Sequence, residues 1–172
     1  MHRTAPAYLL ALGILIADQL SKWVMIGPLA LERVRQIELL PFFNFTWVQN
    51  FGISLGLAQA QNDTQRWMLV ALTGAVALAV GYWIRREEKA GDRFALALVL
   101  GGALGNIIDR ARLGYVVDFL DLHFGELRPF YVFNVADAAI SIGVVILLLR
   151  AVFVRDTVST TQKVPEGTNE HA

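Results

Sequence analysis

The chain has no cysteine. Disulfides, a thiolate nucleophile and cysteine-based metal sites are therefore excluded. Histidine is scarce: His2, His123 and His171 are scattered, and two lie near the ends. No pair has metal-ligand spacing, which argues against a catalytic zinc. Net charge is absent too, with 15 basic and 15 acidic residues. Nothing in that balance points to nucleic acid. No internal repeat is visible.

What the chain has in excess is apolar side chains. Of its 172 residues 55% are hydrophobic, and the mean hydropathy is +0.48. That is too apolar for an ordinary soluble domain and points to a membrane class. A span needs ~20 mostly apolar residues. Four stretches qualify, at about 7–26, 67–84, 94–112 and 134–154. Tyr8 and Trp23, Trp67, Tyr82 and Trp83 stand near their ends, as an aromatic belt requires. Each is alternatively a core aromatic, but clustering at the ends favours the belt. Met1-His2-Arg3 followed by an apolar run has the look of a cleavable leader. Asp18-Gln19 follows the run, and Leu15 stands where a small residue is needed, so the first span is expected to be retained.

The short 85–93 loop holds Arg85, Arg86, Lys89 and Arg93, which argues for the cytoplasmic side. Both termini are then cytoplasmic, and residues 27–66 and 113–133 lie outside. The opposing segments carry Lys22, Arg33, Arg35, Arg66, Arg110, Arg112 and Arg128, so the bias rests on that one loop. In the first outer segment Phe43, Phe45 and Trp47 alternate with Asn44, Thr46 and Val48, a strand pattern. Asn50 and Gly52 predict a turn. The result is a small sheet on the membrane surface, or more blandly a connecting hairpin. Gly52 and Gly56 suit a mobile flap, though glycine is equally a plain turn residue. From Asp156 the chain is polar, with Pro165 and Gly167. One membrane-embedded domain over 1–155 is expected, with a disordered cytoplasmic tail over 156–172.

Two acids stand at the edges of apolar stretches: Asp118 in Val116-Val117-Asp118-Phe119-Leu120, and Asp137 in Phe133-Asn134-Val135-Ala136-Asp137. An ionisable group beside lipid is costly and marks function by default. Each has a structural explanation. Asp118 is alternatively a solvated loop acid. Asn134 is a good N-cap, and Asp137 then occupies N3, where an acid satisfies free N–H groups. Together they flank one excursion whose ends can meet, which favours a shared site of two carboxyls and one proton. The positive end of the helix dipole favours the anion at Asp137, leaving the proton on Asp118.

Other polar residues sit within the spans. Gly101 and Gly105, four apart, suit close helix packing. Asn106 and Arg110 share a face with Asp109 nearby, forming a polar cluster at a helix end. For Arg110 alone, snorkelling to head groups is the rival explanation. Asp18 and Lys22 are four apart, acid first, as in a structural ion pair. Lys22 as general base for Ser54 or Ser141 is a sharper but weaker alternative.

These words resemble the lipoprotein signal peptidases (signal peptidase II), bacterial membrane aspartyl proteases. The likeness covers roughly residues 8–153. It runs through Asp18-Gln19 with Lys22, Asn50-Phe51-Gly52, Gly101 to Arg110, Val116 to Phe119 and Phe133 to Asp137. The resemblance puts the catalytic pair on Asp118 and Asp137. It puts supporting residues on Asp18, Lys22, Asn50, Gly52, Asn106, Asp109, Arg110, Asn134 and Ala136. One place departs: two small residues and an aromatic usually follow Asn50-Phe51-Gly52, whereas this chain has Ile53, Ser54 and Leu55. The implied fold is an all-α polytopic membrane protein of four transmembrane helices, with a small extracytoplasmic β-sheet and a short outer helix. The implied substrate is a prolipoprotein whose cysteine carries diacylglycerol, cut just before that cysteine. The resemblance also implies inhibition by globomycin and residence in the bacterial inner membrane among phospholipids. The active site would lie at the outer face. A monomer is expected, with no metal and no organic cofactor. Two rivals are a proton-coupled transporter using intramembrane carboxylates and a structural adapter. Carboxylates at one face, without repeats, count against the transporter.

Overall fold

The computed structural model describes residues 4–53, 58–59, 63–125 and 127–153. The elements are α1 (Ala5–Ile26), the one-turn α2 (Leu31–Val34), β1 (Gln36–Leu40), β2 (Phe43–Asn50), β3 (Gly52–Ile53) and β4 (Ala58–Gln59), followed by α3 (Asp63–Arg86), α4 (Ala90–Leu113), β5 (Val116–Leu122) and α5 (Val135–Phe153). Helices α1, α3, α4 and α5 are each long and apolar enough to cross a membrane. They lie over the four apolar stretches of the sequence. The expected fold is therefore found: four spanning helices, a small sheet and a short extra helix. Gly56, Ser54, Leu55 and the tail from Asp156 lie outside the described residues.

Helix α4 is the hub, because α1, α3 and α5 all pack on it. Small residues make that possible. A Cβ on Gly101 would meet the Ala11 carbonyl of α1, and one on Gly102 would meet the Ala136 carbonyl of α5. One on Gly105 would meet the carboxylate of Asp18. The glycines thus permit close approach, as expected, and at Gly105 the neighbour is a polar side chain of the site described below. An apolar cluster of Ala7, Ala11, Ala77, Ile84, Leu96 and Ala97 fills the helical part. Tyr8 also joins helices, its hydroxyl donating to the Gly81 carbonyl at 2.7 Å. Trp23, Trp67, Tyr82 and Trp83 are exposed. Helix α4 ends at Gly114, whose φ of +89° is the left-handed C-cap conformation glycine adopts freely.

The sheet has the order β1-β2-β5, antiparallel throughout. Its inner side holds Met25, Leu31, Trp47, Val117 and Phe119. The alternation over 43–48 is indeed a strand, but it carries a bulge. Phe45 pairs with Leu120 and Val48 with Asp118, so three steps on β2 face two on β5. The turn at Asn50 is closed by its own side chain, Oδ1 accepting the Gly52 N–H at 3.1 Å.

Asp118 lies in a buried strand, which corrects the solvated-loop alternative. Val116-Val117-Asp118-Phe119-Leu120 is rich in β-branched and aromatic residues, which favour a pleated, packed strand. The open edge of β5 is taken by Phe133. Its N–H donates to the Leu120 carbonyl at 3.0 Å, and its carbonyl accepts the Leu120 N–H at 2.7 Å.

Candidate active site

That pairing of Phe133 delivers the next residue, Asn134, beside Asp118. Asn134 immediately precedes α5. Its Oδ1 accepts the Asp137 N–H at 2.9 Å, the N-cap bond expected from the sequence. Its amide nitrogen donates to Asp118 Oδ1 at 2.6 Å and to Asn106 Oδ1 at 3.3 Å. Asn106 in turn donates to Asp137 Oδ1 at 2.8 Å. From β2, Asn50 donates to Asp118 Oδ2 at 3.0 Å. Both carboxyls are thus gripped by side-chain amides, and Asn134 and Asn106 join them into one network.

Asp118 is only 2% exposed, and Asp137 is half-buried. Burial pushes the Asp118 carboxyl up to about 7, and the charge of Asp137 adds to the rise. The amides of Asn50 and Asn134, and the charge of Lys22, pull the other way. Asp118 is therefore an acid able to hold or release a proton near neutrality.

Behind the pair lies a buried ionic brace. Lys22, 3% exposed, contacts Asp18 Oδ2 and Asp109 Oδ2, each at 2.8 Å, and Asn106 Oδ1 at 3.3 Å. Asp18 Oδ1 accepts the Ala136 N–H at 3.0 Å, satisfying a free donor in the first turn of α5. Asp109 Oδ2 accepts the Val117 N–H at 3.2 Å. The brace ties α1, α4, β5 and α5 together at this end of the bundle. All three ammonium donors of Lys22 have acceptors, so none is left for a serine. Ser141 is exposed on α5, and Ser54 lies outside the described residues.

Arg110 does not snorkel. It is 8% exposed and donates to the buried Gly52 carbonyl at 2.6 Å, fastening the turn after Asn50. The residues that the resemblance assigned to the site therefore lie in this one neighbourhood. Asn50, Asn106 and Asn134 touch the acids, Asp18, Lys22 and Asp109 stand behind, and Arg110 and Gly52 lie at the side. Ala136 contributes its backbone.

Two participants were not anticipated. Gln19 donates to Asp109 Oδ1 at 2.9 Å and completes the brace. Its place in the Asp18-Gln19 word is the available signal. Arg66 of α3 donates to the Arg110 and Ala111 carbonyls at 2.7 and 2.6 Å, satisfying the end of α4. No local pattern reveals a pairing so distant in sequence.

Comparison with known proteins identifies the family. The family model described as Signal peptidase (SPase) II matches residues 10–153. The lipoprotein signal peptidase of Sphingopyxis alaskensis is 60% identical over 136 residues, 79% of each chain. That of Rhizorhabdus wittichii is 56% identical over 143 residues, 83% of each. A bacterial membrane enzyme solved in meso at 2.3 Å resolution superposes with a TM-score of 0.74 at 26% identity, covering 94% of each chain. The chain belongs to the signal peptidase II family and is a bacterial membrane protein.

Proposed function

We propose that this chain is an aspartyl endopeptidase that removes the signal peptide from diacylglyceryl-modified prolipoproteins, cutting just before the lipidated cysteine. The observation that carries the mechanism is the joined pair: Asp118 on a strand and Asp137 in the first turn of a spanning helix, linked through Asn134 and Asn106. Asp137 is the base. The start of α5 favours its anion. Asp118, raised to about 7, is the acid.

Asp137 takes a proton from water as the oxygen attacks the scissile carbonyl. Asp118 donates its proton to the carbonyl oxygen, so no full oxyanion accumulates. The resulting tetrahedral diol collapses as the leaving amine is protonated, and one carboxyl again ends with the proton. Water is the only nucleophile, so no acyl-enzyme forms. Asn50, Asn106 and Asn134 keep both carboxyls oriented, while the Lys22 brace fixes the helix start that carries Asp137.

Location suits the substrate. A diacylglyceryl cysteine is anchored in one leaflet, so its scissile bond lies at the membrane surface. The pair stands at a helix end rather than at midplane, where a transporter carries its carboxylates. In this assignment the enzyme sits in the inner membrane as a monomer, with both termini cytoplasmic and the site at the outer face. Globomycin-type inhibitors should block it.

The test is cleavage of a diacylglyceryl-modified prolipoprotein by the purified chain in detergent, with products identified by mass. A single cut before the modified cysteine, blocked by globomycin, is expected. Intact substrate after incubation with folded enzyme would refute the assignment.

A further inference from the structure

Three residues beyond Asp118 on the same strand lies a second buried acid, Asp121, which the mechanism does not use. It is 1% exposed and points to the opposite face of β5 from Asp118. A carboxylate so placed requires partners. One oxygen, Oδ2, accepts both from the Thr46 hydroxyl at 2.8 Å and from Arg128 Nη1 at 2.5 Å.

Thr46 and Trp47 are the two residues of the bulge in β2. Both have partners outside the regular ladder to β5. Trp47 donates its N–H to the Arg35 carbonyl at 2.8 Å, and Thr46 is held by Asp121. The bulge in turn sets which face Asn50 occupies. Carried on from Phe45 opposite Leu120 without a bulge, the ladder would set Trp47 opposite Asp118 and Gln49 opposite Val116. Asn50 would then face away from Asp118, since a one-residue slip reverses every side chain. With the bulge, Val48 is opposite Asp118 and Asn50 opposite Val116. Asn50 is thus a diagonal neighbour of Asp118 on the same face, within side-chain reach. The 3.0 Å bond between them follows.

We infer that Asp121 is a positioning residue for catalysis: paired with Arg128, it grips Thr46, locks the bulge and thereby holds Asn50 against Asp118. The inference rests on the catalytic assignment of Asp118. It adds a register lock on the far side of the strand.

The test is a double-mutant cycle on the full-length enzyme in detergent, using lipidated substrate. Thr46→Val removes the hydroxyl at nearly constant volume, and Thr46→Ser retains it. Thr46→Val should lower kcat about tenfold, the scale of a small misplacement at a reacting centre, with KM almost unchanged. Thr46→Ser should stay near wild type. Because the hydroxyl acts through Asn50, Thr46→Val combined with Asn50→Ala should be no slower than Asn50→Ala alone. Both single variants should move the alkaline limb of the pH–rate profile upward, since each weakens an amide bond to Asp118. Full kcat in Thr46→Val, or additive losses in the double variant, would overturn the inference. Should Thr46→Val fail to fold, Asp121→Asn is measured against Asn50→Ala with the same expectations. An active Asp118→Asn would remove the catalytic assignment itself. An inactive Asp118→Asn beside a fully active Thr46→Val would remove only the lock.

Discussion

Asn134 uses one side chain for two purposes. Its oxygen caps α5 at the Asp137 N–H, while its nitrogen holds Asp118. Those purposes separate on substitution. Asn134→Ser keeps a capping oxygen and loses the amide donor, so Tm should stay near wild type while kcat falls at least about tenfold. Asn134→Ala loses both and should also cost about 1 kcal/mol of stability. Thermal unfolding beside steady-state kinetics distinguishes the two. Asp118 makes a second residue-scale prediction. Its carboxyl is raised to about 7, chiefly by burial and then by Asp137. As the protonated acid it is lost as pH rises, so kcat/KM should fall through an alkaline limb near 7. Stability has the same sign. The contribution is complete below the ordinary carboxylate value and is lost as pH climbs to about 7, because the native state binds the extra proton. The stability of Asp118→Asn relative to wild type should therefore improve as pH rises from 5 to 8, by an amount bounded at roughly 4 kcal/mol. Unfolding curves at pH 5 and pH 8 would show the difference growing with pH.

Among the elements, local signals were legible and long-range ones were not. The five residues Phe133 to Asp137 displayed a cap, an N3 acid and a helix start, and the structure has all three. Asp18 and Lys22 displayed an ion pair by spacing alone. Their partners Asp109 and the Ala136 N–H could not be seen, because they lie on other helices. The alternation over 43–48 revealed the strand but not its bulge, so the bond from Asn50 to Asp118 was beyond any pattern rule. The surroundings of Asp118 follow the same logic: a short apolar word beside a span fits a loop as well as a strand until Phe133 closes its edge. The glycines of α4 were legible as packing residues, and they give a test. The Cβ of Gly102→Ala would press on the backbone carbonyl of Ala136, which cannot swing away. This overpacking should cost about 1–3 kcal/mol and weaken the α4–α5 contact at the site. Gly74 and Gly81 of α3 border open space where a Cβ would stand. Gly74→Ala should therefore be neutral or mildly stabilising in the same unfolding assay.

At the scale of the molecule, the absence of cysteine is an experimental advantage: any introduced thiol is unique. Glu88 lies between α3 and α4, and Glu38 on β1, and both are exposed. In the proposed orientation, Glu38→Cys should react with an impermeant maleimide in intact spheroplasts. Glu88→Cys should react only after permeabilisation. The reverse pattern would invert the topology and put the carboxyl pair on the wrong side for an outer-leaflet substrate. The bundle accounts for the site as a whole: α4 gathers the other three spanning helices, the Lys22 brace fixes the start of α5, and the sheet presents Asp118 to Asp137. The decisive measurement is single-turnover cleavage of lipidated prolipoprotein by wild type, Asp118→Asn and Asp137→Asn, with unfolding curves confirming that all three are folded. A paired acid and base predicts that each variant loses about 10²–10⁴-fold or more in rate. Near-wild-type cleavage by either folded variant would contradict the pair and move the chemistry elsewhere.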